Sequence, residues 1–421
     1  MFYLLFDCNN FFASCEQLFN PRLRNQPIVV LSSNDGCIVA RSKEAKALGI
    51  PMGAPYFEYK SFFLLHNVQV FSSNFELYGD ISKRVIETVK TFDLPIEVYS
   101  IDEAFLFLSH WNPKSLLELG QQIKQKVFQW TGIHISVGIG PTKTLAKVAN
   151  RIAKKEEQHQ GVFAFASAKE ANPYLKKLPV DEIWGIGQRL ARRLYQIGIR
   201  DAFHFKEASD FLIKKQVTVT GLRTALELRG IPSFYLNEIP PQRKSILSSR
   251  SFGVEVTTLY ELKQATATFV AKAAHKLRKE KLKAYFISVF IATNRFKETP
   301  YFSDSASLTL PLPSSHTPDL TQHAHKALEK IFLENRSYKR AGILLGELCS
   351  ETEMQFDFFA DDPLSEKKTS LMKTMDQINN KFSLSPLSFA AEGIVKNWKG
   401  LSTKCSPRYT TSWNELLKIN L

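Results

Sequence analysis

The sequence predicts an α+β chain of several domains, and three observations carry that prediction. Strand-like runs rich in β-branched and aromatic residues alternate with helical stretches over roughly the first 165 residues. A helical, short-looped segment runs from Leu175 to Gly230. From Ile246 to Leu348 the order reads strand, helix, strand, strand, helix, strand. At 421 residues the chain exceeds the size at which one hydrophobic core keeps growing, so about two to four domains are expected.

In chain order, MFYLLFD reads as a buried strand, and IEVYSIDEAFLFL and IHISVGIG read as two more. Helices between them bring the strands back to one sheet, with an insertion within 24–72. Pro240 and Pro241, followed by Gln242, Arg243 and Lys244, read as a linker into a new domain. Beyond it come a strand (ILSSRSF), a helix (Tyr260 to Lys281), two strands (AYFISVFIAT and SASLTL), a helix (Leu320 to Leu333) and a strand (AGILLGEL). This is the βαββαβ pattern of a small sandwich of two helices on four strands. In its first helix Lys272, Lys276 and Lys279, with Lys283 beyond, fall at helical spacing on one stripe, while Phe269, Ala273 and Leu277 form an apolar one.

Composition narrows the class. Hydrophobic residues at 44% and charged residues at 23% are those of a globular protein. The apolar N-terminal run stops at Asp7 and no later run approaches a membrane span, so a cytoplasmic, membrane-free protein is expected. Cys8, Cys15, Cys37, Cys349 and Cys405 form no CxxC pair or His/Cys cluster, which argues against zinc and against a disulfide framework. The net charge of +14 is uneven: +2 over residues 1–166, +4 over 167–239, +8 over 240–350 and 0 beyond. A lysine stripe alone is usually a solvated face, but in the segment with most of the excess charge it points to phosphate.

Three carboxylates stand out, Asp7 at the end of the first strand and the adjacent Asp102 and Glu103 in YSIDEAF. Acidic groups between apolar runs are forced toward a desolvated sheet, which is costly unless a cation neutralises them. Successive strand residues point to opposite faces, so both members of the pair reach one site only at a bend or hairpin. Carboxylates with few other ligands suit Mg²⁺, and two such ions can stabilise an attacking 3′ hydroxyl and a departing pyrophosphate.

Asp7, SIDEA (Ser100 to Ala104), VGIGPTKTLAKVAN (Val137 to Asn150) and LPVDEIWGIG (Leu178 to Gly187) resemble the signature blocks of the Y-family DNA polymerases. NDGCIVARSKEAKALGIPMG (Asn34 to Gly53), FSSNFELYGD (Phe71 to Asp80), SRSFG (Ser249 to Gly253) and SPRYTT (Ser406 to Thr411) resemble the UmuC subgroup, the catalytic subunits of bacterial DNA polymerase V. The resemblance spans nearly the whole chain. It implies an error-prone, template-directed translesion polymerase acting in SOS mutagenesis and DNA damage tolerance. The implied right hand has a palm (1–23 and 73–166), fingers (24–72), a thumb with a helix-hairpin-helix (167–233), a little finger (243–350) and a tail (351–421).

The same resemblance makes Asp7, Asp102 and Glu103 the catalytic carboxylates and, with the backbone carbonyl of Cys8, the ligands of two Mg²⁺ ions. It places an aromatic steric gate against ribose at Phe12, and nucleotide contacts at Phe11, Lys46 and Lys154. Lys43 stands where many relatives carry tyrosine, and its role stays open. Gly185 and Gly187, with Arg189, Arg192 and Arg193 following, read as a helix-hairpin-helix whose backbone N–H groups approach DNA phosphate. Gln355, Phe356, Phe358 and Phe359 in QFDFF resemble a sliding-clamp docking motif. The implied partners are primer-template DNA, deoxynucleoside triphosphates, a UmuD-type accessory dimer, a RecA filament and the sliding clamp. The tail carries Phe382, Leu384, Leu387, Phe389, Trp398, Tyr409 and Trp413, enough apolar area to pack on the accessory dimer or back on its own little finger. A polymerase IV-like enzyme, a noncatalytic repair scaffold and a metal-dependent nuclease are the alternatives.

Overall fold

The computed structural model describes residues 1–109, 113–236, 242–298, 300–351, 365–382 and 386–416. Residues 1–30, 38–240 and 405–421 form one compact unit, and residues 31–37 with 241–404 form another.

The first unit opens with β1 (Phe2–Cys8) and α1 (Phe11–Phe19). Then come β2 (Ile28–Leu31), β3 (Ile38–Arg41), α2 (Lys43–Ala47), α3 (Tyr56–Leu65) and β4 (Gln69–Ser72), the strands pairing in the order β3-β2-β4. This small sheet is the insertion expected within 24–72. The chain continues through α4 (Phe75–Lys90), β5 (Ile96–Val98), β6 (Glu103–Leu108), α5 (Pro113–Thr131), β7 (Ile135–Gly140), α6 (Lys143–Lys155) and β8 (Val162–Ala164). Helices α7 (Asn172–Leu175), α8 (Gln188–Gln196), α9 (Ala202–Glu207) and α10 (Asp210–Leu228) follow.

The main sheet runs β5-β6-β1-β7-β8, with β1 antiparallel to both neighbours and β8 parallel to β7. IEVYSIDEAFLFL is not one strand. It breaks at Tyr99 to Asp102 into the hairpin of β5 and β6, where the amides of Tyr99 and Ser100 both donate to the Glu103 carbonyl, at 3.1 and 3.0 Å. The hydroxyl of Ser100 accepts from the Asp102 and Glu103 amides, so the serine satisfies the turn that its apolar neighbours conceal in the sequence.

Strand periodicity sorts β1. Leu4, Phe6 and Cys8 pack toward Phe11, Tyr78 and Leu116, whereas Tyr3 and Leu5 pack with Phe105 and Ala146 of α6. Each of these large side chains contributes about 1.5–3 kcal/mol through burial. Asp7 continues the Tyr3–Leu5 series and therefore faces α6. That helix lies unusually close to β7 because Gly138 has no side chain: a Cβ there would stand 2.1 Å from the Asn150 nitrogen and 2.3 Å from the Ala146 carbonyl.

The second unit follows the expected βαββαβ order: β9 (Ser245–Val256), α11 (Leu259–Lys279), β10 (Leu282–Thr293), β11 (Ser303–Ser314), α12 (Thr317–Ile331) and β12 (Tyr338–Ser350). The antiparallel sheet runs β11-β10-β12-β9. Phe269, Ala273 and Leu277 are buried in its core, and Lys272, Lys276 and Lys279 are exposed on the other side of α11, with Lys283 half-buried at the start of β10.

Much of the tail completes this unit. Asp376 on α13 (Ser365–Lys381) is held by both Arg278 Nε and Nη2, at 2.6 and 2.8 Å, and by His275 at 3.0 Å. Trp398 is buried against Phe252 and Phe269. Phe389 is half-buried, Phe382 and Leu387 are exposed, and Leu384 lies outside the described residues. Among the described residues no helix is long and apolar enough to cross a membrane.

Candidate active site

Asp7 sits opposite Glu103 in the β1–β6 register, with their side chains hydrogen-bonded. The hairpin turn brings the third carboxylate to the same strand end, because the Cys8 amide donates to the Asp102 carbonyl at 2.8 Å. The Asp102 side chain itself accepts from the Ser100 hydroxyl at 2.6 Å. Two lysines of α6 reach this strand end. Lys154 pairs with Asp7, and Lys147 pairs with Glu103 at 2.8 Å while lying over the rings of Tyr99 and Trp184.

Burial pushes the Asp7 carboxyl up to about 7, against the pull of Lys154 and with the push of the Glu103 hydrogen bond. Burial would raise Glu103 as well, but the hydrogen bonds from Asp7 and Lys147 and the charges of both lysines hold it below its ordinary value. Asp7 is thus the carboxyl of the pair pushed toward its neutral form, and Glu103 the one held toward its ionised form. The Cys8 thiol is pushed well up by burial and then by the neighbouring Asp7 and Asp102, so it stays neutral.

The α1 entrance places the remaining candidates. Asn10 turns the chain sharply at φ 51°, and its side-chain oxygen accepts from Lys46. Lys46 is held below its ordinary value by burial, then by the charges of Arg41 and Lys154, with Asp7 opposing them. Lys43 instead pairs with Glu157 in solvent, at 3.3 Å. Phe11 is buried. Phe12 is half-buried, stacked on Tyr78 with centroids 4.6 Å apart and planes 15° apart, and edge-on to Phe75 at 5.9 Å.

Among the described residues no three His, Cys, Asp or Glu side chains converge on one point that would hold a metal ion. Lys154 and Lys147 hold Asp7 and Glu103, and Asp102 is turned to Ser100. The donor chemistry still suits a hard divalent cation, since the carboxylates of Asp7 and Glu103 face each other half-buried and burial, with the neighbouring Glu103, works against ionisation of Asp7.

Elsewhere, Gly185 takes φ 86° in the turn before α8, and Gly185, Gly187, Arg189, Arg192 and Arg193 are all exposed there. Ile186 is core, and Trp184 packs half-buried against Tyr99, Phe105 and Phe234. Gln355, Phe356, Phe358 and Phe359 lie outside the described residues. Lys147, Arg41, Asn150 and Tyr78 escaped the sequence reading. Lys147 and Asn150 had a usable signal: with Lys143 and Lys154 they repeat at helical spacing along α6.

Residues 6–151 match a model of the impB/mucB/samB family, 243–358 its C-terminal domain, 169–199 the family's HHH motif and 369–419 a domain of unknown function. The chain is 40% identical to Protein UmuC of Salmonella typhimurium, over 99% of this chain and 100% of that protein. It is 38% identical to Protein ImpB of the same species, over 98% of each. DNA polymerase IV of Desulfatibacillum aliphaticivorans is 25% identical over 91% of this chain and 95% of that one. Among solved structures, a Y-family DNA polymerase chimera of Dbh and Dpo4 superposes with a TM-score of 0.66 at 24% identity, covering 83% of this chain and 100% of that one. An insertion ternary complex of Dbh DNA polymerase gives a TM-score of 0.54 at 23% identity, covering 83% and 100%.

Proposed function

The chain belongs to the impB/mucB/samB family and is a Y-family, error-prone translesion DNA polymerase of the UmuC type; we propose that Asp7, Asp102 and Glu103 carry its chemistry. The observation that carries this assignment is the half-buried cross-strand pair of Asp7 and Glu103, beside the hairpin of Asp102 and under two lysines of α6. In this reading Asp7, Asp102, Glu103 and the Cys8 carbonyl would hold two Mg²⁺ ions. The ions would supply charge stabilisation at an attacking 3′ hydroxyl and a departing pyrophosphate.

The chain's own residues do the rest. Lys46 and Lys154 bind the triphosphate; Lys154 exchanges its partner from Asp7 to phosphate, which frees the carboxylate. Phe12, held flat on Tyr78, packs under the incoming sugar and leaves no room for a 2′ hydroxyl. The exposed turn at Gly185 and Gly187 and the stripe of Lys272, Lys276 and Lys279 hold the DNA backbone without reading sequence. Residues 1–23 and 73–166 act as palm, 24–72 as fingers, 167–233 as thumb and 243–350 as little finger. A UmuD-type dimer, a RecA filament and the sliding clamp are its partners in SOS mutagenesis in the cytoplasm, the clamp through 355–359. Primer extension across an abasic template, with Asp102→Ala as control, tests the assignment. Extension by the variant equal to the parent overturns it.

A further inference from the structure

The last part of the chain returns to the first unit and meets α1, which carries Phe12, and α4, which carries Tyr78. Asn74, which caps α4 through its oxygen, uses its amide nitrogen to donate to the Ser406 carbonyl at 3.0 Å, the Ser406 hydroxyl at 3.1 Å and the Pro407 carbonyl at 3.3 Å. Tyr409 stacks on Phe19 of α1 with centroids 4.7 Å apart and planes 16° apart. Arg408 bridges Glu76 of α4, at 3.1 Å, to Glu415. Glu16 of α1, 2% exposed, accepts at Oε1 from the Tyr78 hydroxyl of α4 at 2.6 Å and from the Ser406 hydroxyl at 3.1 Å. Tyr78 is itself fully buried, and its ring is the platform on which Phe12 lies.

We propose that this terminal segment is a working part of sugar selection: Ser406, through Glu16, fixes the Tyr78 ring that sets the height of Phe12. A buried carboxyl with two hydroxyl donors on one oxygen has few alternative arrangements, because an unpaired donor or acceptor in that interior is costly. Removing one donor lets Glu16 and Tyr78 shift together, and a stacked ring follows its platform. Ser406 and Glu16 are positioning residues that do not touch the substrate. The proposal rests on the reading of Phe12 as the sugar-selecting ring, and it gives a role to residues within the matched domain of unknown function.

The test measures ribonucleotide against deoxynucleotide incorporation by the full chain on primer-template DNA. The variants are Phe12→Ala, Tyr78→Phe, Ser406→Ala, the Tyr78→Phe/Ser406→Ala pair and Ser406→Thr, with thermal unfolding showing that each is folded. Tyr78→Phe and Ser406→Ala should each raise the ratio about fivefold, the scale of one ordinary hydrogen bond, through a lower KM for the ribonucleotide. The pair should do no more than one alone, and Ser406→Thr should restore the parental ratio. A parental ratio in Ser406→Ala while Phe12→Ala raises it overturns the relay. Equal loss of both nucleotides in Ser406→Ala also overturns it, leaving the segment as structural support. An unchanged ratio in Phe12→Ala instead removes the gate reading, and the relay with it.

Discussion

Asp7 and Glu103 face each other across the β1–β6 ladder, hydrogen-bonded, with Lys154 on one and Lys147 on the other. Replacing Asp7, Asp102 or Glu103 by alanine should abolish Mg²⁺-dependent nucleotide addition while leaving DNA affinity within about twofold, since the phosphate contacts rest on other residues. Primer extension and DNA titration of each variant check this; full extension by any one removes that residue from the chemistry.

The raised Asp7 carboxyl gives a pH signature in chelator-treated protein. Its folded value of about 7 lies above the ordinary 3.8, so its contribution to stability is complete below about pH 4 and lost as pH rises through about 7. Asp7→Asn cannot ionise and escapes that loss. Its stability relative to the parent should therefore improve from pH 4 to pH 8 by about 1–3 kcal/mol, read by denaturant unfolding. A constant difference between the two pH values refutes the buried proton.

Lys154 is the cation that the triphosphate would take from Asp7. Lys154→Ala should raise the deoxynucleotide KM about tenfold, the scale of a charge-assisted hydrogen bond, with DNA binding retained. Steady-state kinetics at saturating DNA decide it, and an unchanged KM assigns Lys154 to carboxylate pairing alone.

Arg278 and Asp376 should control the docking of α13. Burial would raise Asp376, but Arg278 and His275 hold it below its ordinary value. Its contribution is thus present above about pH 4 and lost as pH falls through the lowered value. Asp376→Asn should speed amide exchange in 365–382 about tenfold at pH 7, and the gap to the parent should close near pH 2. Trp398→Ala should cost about 3–5 kcal/mol in the same unit. Loss of copurification with an accessory dimer without that destabilisation would instead make Trp398 a contact residue.

Deleting 355–359 should remove stimulation by the sliding clamp and spare basal synthesis, because the segment holds none of the proposed catalytic residues. Equal stimulation of deletion and parent moves the docking site elsewhere.

Some of this was readable from residue order alone. The βαββαβ order from Ser245 to Ser350, the buried first strand and the carboxylate at its end follow from hydrophobic periodicity, a local property of the chain. The need for a bend at Asp102 and Glu103 followed from the two-residue period of a strand, although the apolar flanks hid the turn that Ser100 makes. Other relationships depend on contacts between residues far apart in sequence, which no local pattern specifies. Only the close seat of α6 over Gly138 brings Lys147 and Lys154 to the two carboxylates. Only the fold joins Ser406 to Glu16, across 390 positions of sequence. Trp398 reads in the sequence as apolar area that packs either on a partner or back on its own chain, and it becomes core because Phe252 and Phe269 leave a site for it. The sequence determined which residue types were available for the chemistry, and packing decided their partners, because burial and distance set the charge of a carboxyl or the freedom of a ring.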